Sequence, residues 1–465
     1  MINLAQDTFL PTLRNSLEKI RSQNPDKFYG WKITLQNYRS LQTLMLGHPG
    51  KDFENYQNRE VHDHSYHIDI YTRHGHPEVM GSSGFSIDPL GNIDAQILKT
   101  FNNSLLVANK PWDMPKKLNG AYDMVFTVDP LISENMLLAH QKMQDEINNK
   151  IKTLTNVSVN SGELFTNLQI KYFETSWGLK GQKENSSIYF EIAIEKLPIP
   201  NTQEVLKYKK AISLEDARLS QFIDKAVEET LSIADAEMPK TSDNGIVLID
   251  GEAISSLLTH VVNQLNAQRE YEKSPYMSTG DSLLKGEKKP DSDKLSIFLD
   301  PTVPVMALTT PFTNEGMKPT KAEVVKKDMV TAQIIHHRMG QYLDKAPNYI
   351  EGNMLVELGR QSSTELIHSV DECIEIIAFS SLLIAPNTLT WSSEIKLGKL
   401  YKNGAFVCMI KGGVVSGNIR ENLTNFSFSN EEVKINETGG GYGHAKGYVG
   451  PQHMLIKSGV KIVGE

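Results

Sequence analysis

Asn244-Gly245-Ile246-Val247-Leu248-Ile249-Asp250-Gly251-Glu252-Ala253-Ile254-Ser255-Ser256-Leu257-Leu258-Thr259-His260-Val261-Val262-Asn263-Gln264 runs as polar turn, apolar run, second turn and periodic segment. Ile246 to Ile249, held between Asn244-Gly245 and Asp250-Gly251, has the pattern of a buried strand. After it, Ala253, Ile254, Leu257, Leu258, Val261, Val262 and Leu265 recur at three- and four-residue spacing, which predicts a helix with one apolar stripe. Ser256, His260, Asn263 and Gln264 fall off that stripe, so His260 is expected on a polar face.

Working outward, the first half reads as α+β. An amphipathic helix is predicted over Asp7 to Ile20, with Leu10, Leu13, Leu17 and Ile20 on one face. Strands are predicted over Lys32 to Tyr38 and Tyr66 to Thr72, and a long helix over Ile132 to Leu154. Val157 to Phe173 and Ser187 to Glu195 read as adjacent strands, and Leu214 to Ala234 as a helix. The polar stretch Glu237 to Gly245 has the composition of a linker. The expected organisation is an N-terminal domain over 1–236 with a mixed sheet and helices, a linker over 237–245, and a β-rich domain with helices over 246–465.

Composition narrows the function. A chain of 465 residues, 39% apolar and 22% charged, carries enough apolar residues for two or three cored domains. Its net charge of -8 argues against nonspecific nucleic-acid binding, which needs a concentrated basic face. Cys373, in a helix-like pattern, and Cys408, in a strand-like one, are too few for a disulfide framework and read as reduced thiols. The first twenty residues lack a signal-peptide pattern and no apolar run is long enough to span a bilayer, so a cytoplasmic location is expected.

The second half carries further signals. Leu295 to Pro301 is a strand ending in Asp300-Pro301, followed by Pro311-Phe312-Thr313-Asn314-Glu315-Gly316 and Tyr349-Ile350-Glu351-Gly352-Asn353. Gly398-Lys399-Leu400-Tyr401-Lys402-Asn403-Gly404 precedes Ile410-Lys411-Gly412 and Gly417-Asn418. Asn403-Gly404 is a two-residue hairpin signal, because both residues tolerate positive φ. These segments and the helix predicted over Ala253 to Leu265 resemble the TldD/PmbA family, also called TldD/TldE. Thr313 departs from the aspartate of that family's Phe-Asp-x-Glu-Gly turn. The resemblance covers about Ile246 to Val463; the N-terminal half matches only in its pattern of elements.

TldD-type chains read Leu-Leu-His-Glu-x-x-x-His at the helix. With the leucine pairs aligned, Thr259 stands for the first histidine, His260 for the glutamate and Gln264 for the second histidine. Zinc chemistry needs several imidazole, thiolate or carboxylate ligands around one ion and a base beside the bound water, and Thr259 and Gln264 are poor ligands. The family's C-terminal cysteine ligand is also missing from the glycine-rich Thr438 to Ala445 segment, where His444 is the one metal-binding side chain. The resemblance therefore implies a TldE/PmbA-like subunit without cofactor, zinc being expected only in a TldD-type partner. Thr259, His260, Gln264 and His444 would line a cavity that admits short or unfolded peptides. The alternatives are a divergent metallopeptidase with a rebuilt metal site and a homodimeric binding protein without a protease role. An old family label, modulator of DNA gyrase, finds no support in the acidic composition.

Three polar features compete for a role. His62, His64, His67, His74 and His76 fall within fifteen residues, either as a polar sheet edge and its loop or as a metal site. His336-His337 is expected on the solvated or partner-facing face of a helix over Val330 to Leu343. Ser278 to Asp293 is expected as a mobile surface loop.

Overall fold

The computed structural model describes residues 3–47, 53–116, 121–198, 204–233, 236–437 and 445–465. Its N-terminal half is built on β1 (Phe28–Leu46), β2 (Glu54–His74), β3 (Val79–Ile87), β4 (Val157–Thr175), β5 (Lys180–Lys196) and β6 (Val205–Ala211), joined in the order β3-β2-β1-β4-β5-β6. Every pairing in this sheet is antiparallel, so the sheet is not mixed. The strands run far beyond their predicted cores. Past the predicted Lys32 to Tyr38 run, polar residues such as Arg39 and Gln42 are half-buried within β1, and their polarity hid the continuity.

One face of this sheet is covered. α1 (Leu10–Gln23) and α2 (Ile93–Ser104) pack on Trp31, Ile33, Leu35, Ile68 and Ile70. α3 (Pro130–Ile151), α4 (Leu214–Ala217) and α5 (Leu219–Ser232) pack on Leu41, Met45, Leu164, Ile188 and Phe190. These strand residues share one parity, so all five helices lie on the same face. The predicted Leu214 to Ala234 helix breaks into α4 and α5 at Arg218, whose φ is 43°. On the opposite face Thr34, Gln36, Tyr38, Asn167, Gln169, Lys171, Asn185 and Tyr189 are half-buried, and among the described residues no helix covers them.

The C-terminal half holds two sheets. The first joins β7 (Val247–Asp250), β12 (Glu372–Phe379), β13 (Leu383–Ile384), β14 (Thr390–Lys402), β15 (Ala405–Ile410), β16 (Val414–Asn418), β17 (Phe426–Phe428), β20 (His453–Ile456) and β21 (Val460–Val463). The second joins β8 (Ile297–Asp300), β9 (Ala322–Lys326), β10 (Met329–Val330), β11 (Asn353–Val356), β18 (Glu432–Glu437) and β19 (Lys446–Pro451). Helix α6 (Gly251–Asn263) touches strands of both, and its apolar stripe enters the shared core. Shorter helices α7 (Ala267–Tyr271), α8 (His337–Leu343), α9 (Ser363–His368) and α10 (Ile419–Asn422) fill the connections. Asn403 (φ 49°) and Gly404 (φ 78°) turn β14 into β15, as their shared tolerance of positive φ predicts.

Several local expectations fail. Cys373 lies on β12, not a helix, opposite Tyr401 of β14, and burial pushes its thiol up to about 11. The helix over Val330 to Leu343 shrinks to α8, because Val330 pairs as strand with Val325. Ser278 to Asp293 is pinned to the core: Leu283 is fully buried, and the Arg420 guanidinium donates to the Ser282 and Leu283 carbonyls. The 237–245 stretch runs along the C-terminal sheet, where Glu237 N donates to Met409 O, Ser242 pairs with Ile462 and Gly245 N donates to Val460 O. Among the described residues no helix is long and apolar enough to cross a membrane.

Candidate functional site

The β7–α6 junction is tight because Asp250 caps the helix, its Oδ1 accepting from Ala253 N at 3.0 Å. Burial, with Glu252 close by, pushes the Asp250 carboxyl up to about 7. Gly251 opens the helix where a Cβ would meet Val433 Cγ1 at 2.6 Å, so α6 can lie close against β18. The outward face then carries Glu252, Ser256, His260 and Asn263.

Ser256 links this face to the β18–β19 hairpin. Its Oγ accepts from Lys446 Nζ at 2.9 Å, and Lys446 also pairs with Glu437 at 3.3 Å. The hairpin base, from which the glycine-rich segment departs, is thus fixed beside α6. His444 lies outside the described residues. Tyr208 of β6 brings the N-terminal sheet to the same place, its hydroxyl raised by burial and by the nearby Glu437 and Glu252 charges.

The three helix positions do not converge. Thr259 Oγ1 donates to Ser255 O at 2.7 Å, and His260 Nδ1 donates to Ser256 O at 3.0 Å. Gln264, read from the sequence as lying off the apolar stripe, is only 4% exposed at the helix end. Its amide donates to Pro386 O at 2.9 Å and Asn387 O at 3.4 Å, holding the turn between β13 and β14. A zinc ion does not fit this donor set, which offers one imidazole, a back-bonded hydroxyl and an amide committed elsewhere. Gln264→Leu, which keeps the volume and removes both donors, is expected to cost about 1–2 kcal/mol. An unchanged midpoint in chemical denaturation would contradict that structural role.

The histidines of β2 also disperse. His62 is 2.9 Å from Glu60, and His64 is 2.9 Å from Tyr66 Oη, both on the helix-covered side. His67, of opposite parity, sits 3.5 Å from Asp69 on the other face. Among the described residues no group of three or more His, Cys, Asp or Glu side chains is placed to hold a metal ion. His336 precedes α8 and His337 opens it, with His337 Nδ1 3.0 Å from Tyr349 Oη and Nε2 2.8 Å from Asp113 O, so His337 faces the N-terminal half.

A polar cluster that the sequence did not reveal lies where the uncovered sheet face meets the C-terminal half. Phe312 packs on Phe173 and Leu179, seating the 311–316 turn on the sheet. Lys32 Nζ donates to Asn314 O at 2.9 Å, and Lys183 Nζ to Thr310 Oγ1 at 3.3 Å. Burial lowers both ammonium groups. Glu315 receives the His337 and Arg338 amides at 2.7 and 3.1 Å. Burial lifts the Glu351 carboxyl to about 7 against the opposing pull of Lys183. Two segments far apart in sequence, 311–316 and 349–353, thus supply the carboxyls, and the sheet supplies the lysines. Perturbed groups gathered in this way mark a candidate ligand-facing surface.

Residues 242–462 match the PmbA/TldA metallopeptidase C-terminal domain. The fold is similar over the full length of both chains to a Bacteroides thetaiotaomicron protein whose crystal structure is named for modulation of DNA gyrase (TM-score 0.78, 15% identity). It is also similar to TldE from Thermococcus kodakarensis (TM-score 0.75, 14% identity, 97% of this chain and 100% of that one). A Thermotoga maritima protein, again named for gyrase modulation, gives a TM-score of 0.71 at 15% identity over 98% of this chain and 100% of its own. No curated protein matches the sequence.

Proposed function

The chain belongs to the TldD/PmbA family, and from that premise we propose that it is a TldE/PmbA-like subunit without a metal of its own, working beside a TldD-type zinc peptidase. The observation that carries this reading is the occupation of the ligand helix by Thr259, His260 and Gln264, whose polar atoms are committed to Ser255 O, Ser256 O and the 386–387 turn. In this reading the chain supplies wall and substrate-facing surface. The uncovered face of the N-terminal sheet and the Lys32, Lys183, Glu315 and Glu351 cluster are suited to polar contacts with short or unfolded peptides held in extended form. The assembly would be cytoplasmic, with no direct contact to nucleic acid.

The test is elemental mass spectrometry of the purified chain, with cleavage of an unfolded peptide mixture measured with and without added zinc and with and without a TldD-type chain. The expected result is negligible metal and no cleavage by the chain alone, with cleavage when the two chains are combined. Near-stoichiometric metal with chelator-sensitive cleavage by the chain alone would overturn the reading and favour a rebuilt metal site.

A further inference from the structure

On the uncovered face of the N-terminal sheet, the β4–β5 ladder sets like charges directly opposite one another at two places. Glu163 faces Glu191, and further along the same ladder Lys171 faces Lys183. All four share the parity of Gln169 and Asn185, which places them on the face that no helix covers among the described residues. Like charges opposite one another across a ladder repel. The four side chains are half-buried, which limits the relief that water gives.

The chain neutralises neither pair fully. Glu163 has no hydrogen bond or ion pair among the described residues; burial and the Glu191 charge raise its carboxyl, with Arg59 opposing. Glu191 accepts from the neutral Tyr189 hydroxyl. At the other end Lys171 has no hydrogen bond or ion pair among the described residues, and its charge bears on both Lys32 and Lys183. Lys183 Nζ reaches the Thr310 hydroxyl at 3.3 Å, and the carboxyl that acts on it, Glu351, is itself lifted to about 7 by burial.

A ligand that brings positive charge to the glutamates and negative charge to the lysines removes both repulsions at once. At about 3.3 Å per residue, positions 163 and 171 lie about 26 Å apart along β4. An extended peptide of about eight residues spans that distance between its terminal ammonium and its terminal carboxylate. Gln169 and Asn185 face each other between the two charged pairs. Their amides make no hydrogen bond among the described residues, which leaves donors and acceptors for a peptide backbone.

We propose that this face holds short peptides end to end, with the amino terminus at Glu163 and Glu191, the carboxyl terminus at Lys171 and Lys183, and a preference for about eight residues. This rests on the substrate-facing reading of the sheet and adds which peptides it takes and in which direction. The test reads binding by the full chain alone, so absence of zinc-dependent cleavage with a second chain would leave it standing. Calorimetric titration with peptides of about four, eight and twelve uncharged residues should give the tightest binding at the middle length. Acetylating its amino end or amidating its carboxyl end should each weaken binding by about tenfold. Glu163→Gln should lose most of the preference for a free amino end and keep that for a free carboxylate, and Lys171→Gln should do the reverse. Neither substitution should lower Tm, because each removes a facing like charge. Affinity that ignores both caps or the length, or a folded single variant that loses both preferences, would overturn the proposal. Equal binding of a doubly capped peptide with lysine first and glutamate last would also overturn it, since side chains would then supply the charges assigned to the termini.

Discussion

Gly352→Ala is expected to destabilise the C-terminal half by about 4 kcal/mol, combining backbone strain with overpacking against immovable atoms. Gly352 has a φ of +133°, a region that side chains other than glycine rarely enter. A Cβ there would lie 2.3 Å from Asp300 C and from Pro301 N. Neither neighbour can yield, because Asp300 pairs with Asn353 across β8 and β11. Asn353 itself is fully buried: its Nδ2 donates to Asp300 O and Thr309 Oγ1, and its Oδ1 accepts from Leu308 N. The Asp300-Pro301 and Gly352-Asn353 segments that suggested the family in the sequence are thus one packed unit, beside Glu351. Gly280→Ala is the control, since Gly280 has a φ of +95° with nothing within 4 Å of its Cβ and should cost only about 1 kcal/mol of strain. Calorimetry of both variants separates the two contributions. Equal shifts would show that the close approach at Gly352 relaxes at no cost.

What the sequence disclosed follows from how local each signal is. The α6 stripe and the Asn403-Gly404 turn depend on residues within one or two turns of chain, so spacing and φ tolerance were enough. Cys373 was misread because apolar residues at 373, 374, 376 and 377 satisfy a helical stripe as well as a buried strand, and only β7 and β14 on either side decide between them. The 278–293 segment is polar, yet its backbone is held by residues around Arg420 and Thr424, a contact that composition cannot carry. Gln264 looked surface-directed by helical phase, but the helix ends there and the 386–387 turn folds over it. The Lys183 and Glu351 cluster was beyond reach altogether, since neither residue has a local reason to be buried.

Glu351→Gln is expected to make the protein more stable at pH 8, by about 2 kcal/mol, and to change little at pH 5. The carboxyl is lifted from its usual range to about 7 by burial. A group raised in this way favours the folded state while protonated: that contribution is complete below the unfolded value near 4.5 and is lost as pH rises through about 7. The full shift corresponds to about 3 kcal/mol. Two effects reduce it: the side chain keeps partial contact with solvent, and the glutamine withdraws the charge that supports the Lys183 ammonium. His140 has the opposite sign. Held between Thr43 and Thr166 hydroxyls and pushed down to about 4 by burial, it costs stability as pH falls below about 6.5. Because His140 is common to both proteins, its effect cancels in their difference, as does that of Asp250. Urea denaturation of the pair at pH 5 and pH 8 therefore isolates position 351. A variant less stable than the parent at pH 8 would mean that the Glu351 carboxylate is held in the folded state with net stabilisation by Lys183, not raised by burial. The junction would then be a salt-bridged clamp between the halves of the chain, not a surface whose carboxyl exchanges a proton near neutrality.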